Sequence, residues 1–188
     1  MKKLFQIVFL ITISIGVAPC FASDLDRKLL RIGFDGVSTI NSPTRFLKKR
    51  IHEAFPGFNI VESEVYTYGK SRYGFHLYSG VGQDLVYEIY PMSEEDYIFA
   101  VFTNSPLVEG PSKSRVGVTK LKELKDLPEW ASCGWGRNAL KNTYICYGSG
   151  VRVLFVAPLG FESEFSKAPQ GVVDNGVLSE IMYWPGRP

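Results

Sequence analysis

The chain has 188 residues, of which 45% are hydrophobic and 14% aromatic, and its formal net charge is +2. This length predicts a single domain with room for a hydrophobic core. Because the charge is close to balanced, the sequence gives no electrostatic argument for binding nucleic acid or an anionic membrane, and neither is predicted as a partner.

The first 22 residues have the pattern of a secretory signal peptide. Lys2 and Lys3 precede an apolar run over residues 4–18, and Ala22 supplies a small residue before polar sequence begins. The apolar run is shorter than the ~20 residues that a membrane-spanning helix needs. We therefore predict cleavage after Ala22 and export to the periplasm or the medium. The mature domain would cover residues 23–188 and contain no transmembrane segment.

A lipoprotein signal is the alternative interpretation of the same segment. In that case Cys20 would carry the lipid and the protein would be anchored in the outer membrane. Val17 and Ala18 suit a lipid-attachment box, but Pro19 stands where the box requires a small residue. In either case the two N-terminal lysines are lost, which leaves 19 basic and 19 acidic residues and a formally neutral mature chain.

The clearest helix pattern covers residues 43–55. Pro43 suits the first helical position, with Asn41 or Ser42 as the N-cap, and Pro56 and Gly57 end the pattern. The apolar side chains recur at helical spacing on one face and comprise Phe46, Leu47, Ile51, Ala54 and Phe55. A helix with this apolar face is expected to pack against a sheet.

Strand patterns dominate the rest of the chain. A tight polar turn joins the segments 84–90 and 97–103, which predicts a hairpin. A second, short helix is predicted over residues 119–127, capped by Thr119 and ended by Pro128. The full set of predicted strands lies near 31–38, at 59–68, 73–78, 84–90, 97–103 and 177–184, and on either side of the glycines at 148–150.

Successive strands with few helices between them indicate antiparallel pairing, because each parallel crossover needs a dozen or more residues. The predicted fold class is therefore α+β. We expect a twisted antiparallel sheet, with the helix over 43–55 packed on one face and the shorter helix over 119–127 elsewhere.

Two cysteines, Cys133 and Cys146, remain after the signal peptide is removed. In an exported chain an even pair predicts a disulfide. Closing a loop of about 14 residues would contribute roughly 3 kcal/mol through the unfolded state. A metal site is disfavoured because no histidine lies nearby and the C-x-x-C spacing is absent.

The candidate interaction loop surrounds this disulfide and comprises Trp135, Arg137, Tyr147 and Arg152. Tryptophan, tyrosine and arginine are enriched where proteins meet partners, and a loop held by a disulfide loses less entropy on binding. The alternative is that these aromatic residues simply fill the core of a small sheet domain.

Residues for catalysis, metal binding or a cofactor are not predicted. His52 and His76 are the only histidines, and each has the pattern of a surface or sheet-face residue. Ser149 lies between two glycines but lacks the surroundings of a hydrolase nucleophile. No glycine-rich nucleotide motif opens a helix. The sequence therefore predicts no catalytic residue, no metal ligand and no cofactor.

Several short segments carry a family resemblance. They are Asp35-Gly-Val-Ser-Thr-Ile-Asn41, the helix from Thr44 that ends in Ala54-Phe-Pro-Gly57, Ser114-Arg-Val-Gly-Val118, Cys133-Gly-Trp-Gly136 and Tyr144-Ile-Cys146. Together they resemble the sigma-E-regulated lipoproteins of Gram-negative bacteria, whose domain has no assigned function. The resemblance implies a periplasmic α+β domain and supplies no catalytic residue. At Pro19 the chain departs from the lipidation pattern of that family.

The preferred functional hypothesis is an exported, non-enzymatic binding domain for an envelope protein or glycan, for instance an inhibitor of an envelope hydrolase. One alternative is an enzyme that acts on cell-wall glycans through two dispersed carboxylates facing each other across a cleft. Another is a structural envelope component that associates through sheet edges or aromatic patches. The sequence does not specify the partner or the oligomeric state.

Overall fold

The computed structural model describes residues 27–67, 70–80, 84–92, 96–161 and 164–186. The predicted signal peptide and Cys20 lie outside these residues. Within the described ranges, no helix is both long and apolar enough to span a membrane.

An eight-stranded, wholly antiparallel sheet forms the body of the molecule. Its spatial order is β3-β4-β5-β6-β10-β9-β8-β7. A separate pair of two-residue strands, β1 (Ile32–Gly33) and β2 (Gly36–Val37), precedes it. The strands of the large sheet are β3 (Phe58–Thr67), β4 (Lys70–Ser79), β5 (Leu85–Pro91), β6 (Ile98–Thr103), β7 (Ser132–Trp135), β8 (Tyr144–Tyr147), β9 (Val151–Val156) and β10 (Val177–Tyr183).

Two meanders meet in the middle of this sheet. The first runs from β3 to β6 in chain order, and the second runs from β7 to β9. The last strand, β10, lies between them and pairs with β6 through Met182 and Phe102 and with β9 through Met182 and Arg152. The C-terminal strand therefore joins the two halves, and β3 and β7 are the edges.

The main hydrophobic core lies on one face of the sheet. Phe55 and Tyr87 are fully buried there, with ring centroids 5.3 Å apart, and the Tyr87 hydroxyl donates to the carbonyl of Leu29 at 2.9 Å. Burial holds the pKa of Tyr87 well above its ordinary value. Segments before β3, between β6 and β7, and between β9 and β10 supply the rest of the cover, including Ile40, Val108, Leu121, Trp130 and Phe165.

The helix predicted over 43–55 is shorter than expected. Helix α1 covers Lys48–Ala54, with Leu47 as an N-cap that makes no side-chain cap hydrogen bond. Residues 44–46 are extended because their backbone pairs with the start of β6: Phe46 donates to the carbonyl of Asp96 at 2.8 Å, and Ile98 donates to that of Thr44 at 2.9 Å. Tertiary pairing thus overrides the proline start signal. Among the predicted inward residues, Ile51, Ala54 and Phe55 are buried in the core, whereas Leu47 is exposed.

The helix predicted over 119–127 is also too long. Helix α2 covers Leu121–Leu124, and its two leucines are buried. Thr119 is not its cap, because the Thr119 hydroxyl accepts a hydrogen bond from the backbone of Arg115 at 2.8 Å. A third helix, α3 (Gln170–Asp174), lies in a segment for which no helix was predicted.

The strand predictions agree better with the structure. The hairpin of β5 and β6 is present, as are strands at 59–67 and 177–183. Near 31–38 the structure has the short β1–β2 pair, which turns where Gly36 adopts a φ of 130°, a conformation that favours glycine. The coarse fold class, a mixed domain built on a large antiparallel sheet with a few short helices, is confirmed.

Candidate functional site

The predicted disulfide is present between Cys133 and Cys146. The two residues lie directly opposite each other on β7 and β8, with Cα atoms 4.1 Å apart. Cys146 is fully buried in the main core. Because β7 is an edge strand, its pairing with β8 and this covalent bond are what tie it to the sheet.

The loop that joins β7 to β8, residues 136–143, is ordered by its own hydrogen bonds. Gly136 donates to the carbonyl of Thr143 at 2.9 Å, and both the backbone and the hydroxyl of Thr143 donate to the carbonyl of Leu140, at 2.9 and 2.7 Å. A Cβ at Gly136 would clash with the backbone of Leu140, so this turn requires glycine. We call residues 135–144 the hairpin end.

Trp135 and Arg137 both lie at the hairpin end. Trp135 is the last residue of β7 and remains 38% exposed. Its ring packs edge-on against Tyr144, at 5.0 Å, and against the buried Phe165, at 5.2 Å. Arg137 is exposed where the loop begins. Trp135 therefore belongs partly to the core side of the sheet, which combines the two alternatives that the sequence left open.

Tyr147 and Arg152 lie on the opposite side, which we call the second face: the face of the large sheet turned away from the main core. They are direct partners in the pairing of β8 with β9. Tyr147 is 41% exposed, whereas the side chain of Arg152 is only 17% exposed. The structure thus divides the four predicted interaction residues into two pairs on different faces.

One residue from each strand of the large sheet forms a straight line across this second face, which we call the cross-strand line. Each member is the direct pairing partner of the next. From one edge to the other the members are Val61, His76, Glu88, Phe102, Met182, Arg152, Tyr147 and Ser132. Side chains directly opposite each other on neighbouring strands lie within contact distance.

His76 and Glu88 form the polar contact on the β4–β5 side of the line. Their side chains are mostly buried, and His76 Nε2 lies 3.5 Å from Glu88 Oε2. Tyr90, two residues along β5, donates its hydroxyl hydrogen bond to the same carboxylate oxygen at 2.8 Å and stacks on Phe102 with centroids 4.7 Å apart. Burial, followed by the hydrogen bond to Glu88, raises the pKa of Tyr90 well above its ordinary value.

Arg152 and Glu180 form the polar contact on the β10–β9 side. Arg152 Nη2 donates to Glu180 Oε1 at 3.3 Å, and it also lies 3.4 Å from the sulfur of Met182. The guanidinium of Arg152 lies over the ring of Trp184, 5.5 Å from its centroid. Burial raises the pKa of Glu180 above its ordinary value; Arg152 opposes this shift, and the carboxylate of Glu88 adds to it.

Two buried nitrogen atoms at this site have no hydrogen-bond partner among the described residues: His76 Nε2 and Arg152 Nε. Leaving a buried polar group without a partner costs about 1–3 kcal/mol. Beside them, a second set of buried apolar side chains lies outside the main core, and it consists of Ala100, Ile145, Leu154 and Met182. The second face therefore carries hydrogen-bond donors, carboxylate acceptors and aromatic rings, and buried apolar side chains lie beneath them.

A metal centre is not formed by the described part of the chain, where no group of three or more histidine, cysteine, aspartate or glutamate side chains could hold an ion. The second face does carry two carboxylates, Glu88 on the cross-strand line and Glu180 two residues before Met182 on β10. Sequence analysis did not select either of them, nor Tyr90 or Trp184. The available signal was a charged residue between apolar neighbours in a buried strand, as in Tyr87-Glu88-Ile89.

The raised pKa of Glu180 has a consequence for stability. Because the folded chain holds this proton more tightly than the unfolded chain, stability contributed by the protonated group is present at low pH. That stability is lost as the pH rises through the ordinary glutamate range toward the raised value. The difference in unfolding free energy, wild type minus Glu180→Gln, is therefore expected to fall over that window.

Urea unfolding at a series of pH values measures this difference. Glu62→Gln, at an exposed glutamate that forms an ion pair with Lys48, is the matched control and should change stability little, because exposed ion pairs contribute little. A difference for Glu180→Gln that is flat or rises with pH would contradict burial as the dominant influence on Glu180.

Comparison with known proteins identifies a shared fold only. No protein-family model matches the chain, and no curated protein matches its sequence. Among solved structures it is similar to the uncharacterized protein yfeY from Escherichia coli, with a TM-score of 0.61 and 13% sequence identity over 82% of this chain and 99% of that chain. At this identity the similarity shows the fold and carries no activity or partner with it.

Proposed function

We propose that this chain is an exported, non-enzymatic binding domain of the cell envelope and that its ligand lies along the cross-strand line of the second face. The observation that carries the proposal is the buried Arg152 Nε, which has no hydrogen-bond partner among the described residues, on a face that also presents Tyr147 and Trp184. A ligand that supplies a hydrogen-bond acceptor to this atom removes the free-energy cost of leaving it unpaired in the free domain.

The hairpin end is the second element of this proposal. Trp135 and Arg137 are held by the disulfide and by the hydrogen bonds of the loop, so little conformational entropy is lost when they contact a partner. They lie around the β7 edge from Tyr147, so a ligand that extends past this edge would contact both pairs.

Export and family membership belong to the same proposal. The disulfide is compatible with an oxidising compartment, and periplasmic location follows if the first 22 residues act as a signal peptide. We place the chain with the sigma-E-regulated envelope lipoproteins on the strength of its turn and cysteine motifs, with Cys20 lipidation as the alternative to soluble export. The intact mass of the protein isolated from the envelope distinguishes the two.

Capture from a solubilised envelope fraction tests the binding surface. The immobilised wild type is compared with a second-face variant, Tyr147→Ala/Arg152→Gln, and with a hairpin-end variant, Trp135→Ala/Arg137→Ala. Because central aromatic and arginine residues contribute most of the energy of an interface, we expect the second-face variant to lose about tenfold or more in retained partner. The hairpin-end variant should lose less.

Tyr73→Ala is the matched control, because Tyr73 is an exposed aromatic residue on β4, near the other edge of the sheet. It should retain the same partners as wild type. Thermal melts establish that each variant is folded before its retention is compared. Equal retention by wild type, control and both double variants would contradict the proposed surface.

A further inference from the structure

We infer that the ligand of the second face is a neutral carbohydrate chain. This inference rests on the proposed function and names its ligand class. It follows from three properties of the cross-strand line: the mixture of hydrogen-bonding groups, the aromatic rings beside them, and the length of the line.

The hydrogen-bonding groups call for a ligand that donates and accepts at closely spaced positions. When ionised, Glu88 and Glu180 can only accept hydrogen bonds, whereas Arg152 can only donate them and has a buried Nε without a partner among the described residues. A hydroxyl group both donates and accepts, so neighbouring hydroxyls on one sugar ring can satisfy a carboxylate and a guanidinium together. A purely cationic ligand would leave Arg152 Nε unsatisfied, and a purely anionic one would be repelled by the two carboxylates.

The charges of the site are also close to balance. Two carboxylates, Glu88 and Glu180, face one guanidinium and one imidazole. A strongly charged ligand would need a site with one dominant sign. Neither positive nor negative charge dominates on the second face, and this balance favours a neutral ligand.

Aromatic rings flank these groups at both ends. Tyr90 stacks on Phe102 beside Glu88, and the guanidinium of Arg152, which binds Glu180, lies over the ring of Trp184. The three rings are half-buried, and their accessible parts suit the apolar C–H face of a sugar ring, while the polar groups can hydrogen-bond its hydroxyls. Ligand sites in general combine apolar and aromatic surface with a few placed polar groups.

The line is long enough for an oligosaccharide. Strands in a sheet lie about 4.8 Å apart, so the four steps from His76 on β4 to Arg152 on β9 span about 19 Å. Every step is a direct pairing in register, so the groups form a straight row across the strands. A chain molecule that lies across the strands would follow this row.

Nuclear magnetic resonance titration of the isotope-labelled protein, purified after export of the full sequence, tests the inference. The probes are chitotetraose, maltotetraose and tetra-alanine, at equal concentrations. We expect at least one tetrasaccharide to give saturable shifts confined to the cross-strand line and its flanking residues, and tetra-alanine to give none. The two sugars distinguish a β-linked amino-sugar polymer from an α-glucan.

Two variants test the polar groups: the double substitution Glu88→Gln/Tyr90→Phe and the single substitution Glu180→Gln. Each should weaken binding of the sugar about tenfold or more.

Glu62→Gln serves as the control variant and should bind as wild type does, since Glu62 lies on β3 and is paired with Lys48. Melting curves exclude unfolding of the variants. Shifts at the line with tetra-alanine but with neither sugar would overturn the carbohydrate inference and favour a peptide ligand. Absence of shifts with every probe would also overturn it. In both cases the proposed binding surface stands if envelope capture still depends on Tyr147 and Arg152, and it falls with the inference if capture does not.

Discussion

Phe55→Ala is expected to lower the free energy of unfolding by about 3–5 kcal/mol, which is the range for removing a large aromatic side chain from a packed core. Phe55 is fully buried, and its ring packs against Phe58 at 5.8 Å and against Tyr87 at 5.3 Å. It connects the end of α1 to the start of β3 and to the centre of β5. Truncation would leave a cavity bordered by residues on rigid strands, which cannot collapse to fill it.

Urea unfolding followed by tryptophan fluorescence measures this loss. Leu47→Ala is the matched control, because Leu47 precedes the same helix but is 50% exposed, and it should change stability by no more than about 0.5 kcal/mol. If the two substitutions lower the free energy of unfolding equally, the packing of Phe55 in the core would be contradicted.

The same helix shows what sequence periodicity can and cannot predict. The spacing of Ile51, Ala54 and Phe55 identified the buried residues correctly, since these three form one face of any helix that contains them. The start of the helix depended on long-range backbone pairing, which periodicity does not report. Residues 44–46 pair with the segment before β6, and no local signal indicates that a distant strand will compete for their backbone groups.

Local pairing was the easier part of the sheet to predict. Only six residues separate β5 from β6 in sequence, so their pairing follows from a local pattern. The position of β10 between β6 and β9 is a long-range pairing that closes the sheet only when both meanders exist. Sequence reasoning gave a final strand but no reason to place it in the centre.

This long-range pairing explains why the candidate site was mostly missed. Arg152 and Tyr147 were selected because they lie near the disulfide, yet Glu88, Glu180 and Trp184 become their neighbours only through β10. A charged residue in a buried strand is a weak signal by itself. It becomes informative when the order of the strands shows that several such residues share one face.

Removal of the disulfide by Cys133→Ala/Cys146→Ala is expected to lower the free energy of unfolding by about 3 kcal/mol, because the bond closes a loop of about 14 residues in the unfolded chain. The cysteines are separated by 13 positions in sequence, and Cys146 is fully buried, so part of the loss comes from a smaller side chain in the core. Urea unfolding of the oxidised wild type and of the double variant measures the change. Ser132→Ala, next to Cys133 on the same strand but exposed, is the control and should have little effect.

The loss should also be local, because β7 has only one neighbouring strand. Amide hydrogen exchange in residues 132–135 is therefore expected to accelerate more than exchange in β5 and β6, which have neighbours on both sides. Without the bond, the loop hydrogen bonds of Gly136 and Thr143 remain, and the strand that carries Trp135 is held by its pairing with β8 and by the packing of Trp135. If exchange in β7 is unchanged and stability falls by less than about 1 kcal/mol, the hairpin end is ordered without its disulfide. Its preorganisation for binding would then have to come from the loop and from the packing of Trp135 on Phe165.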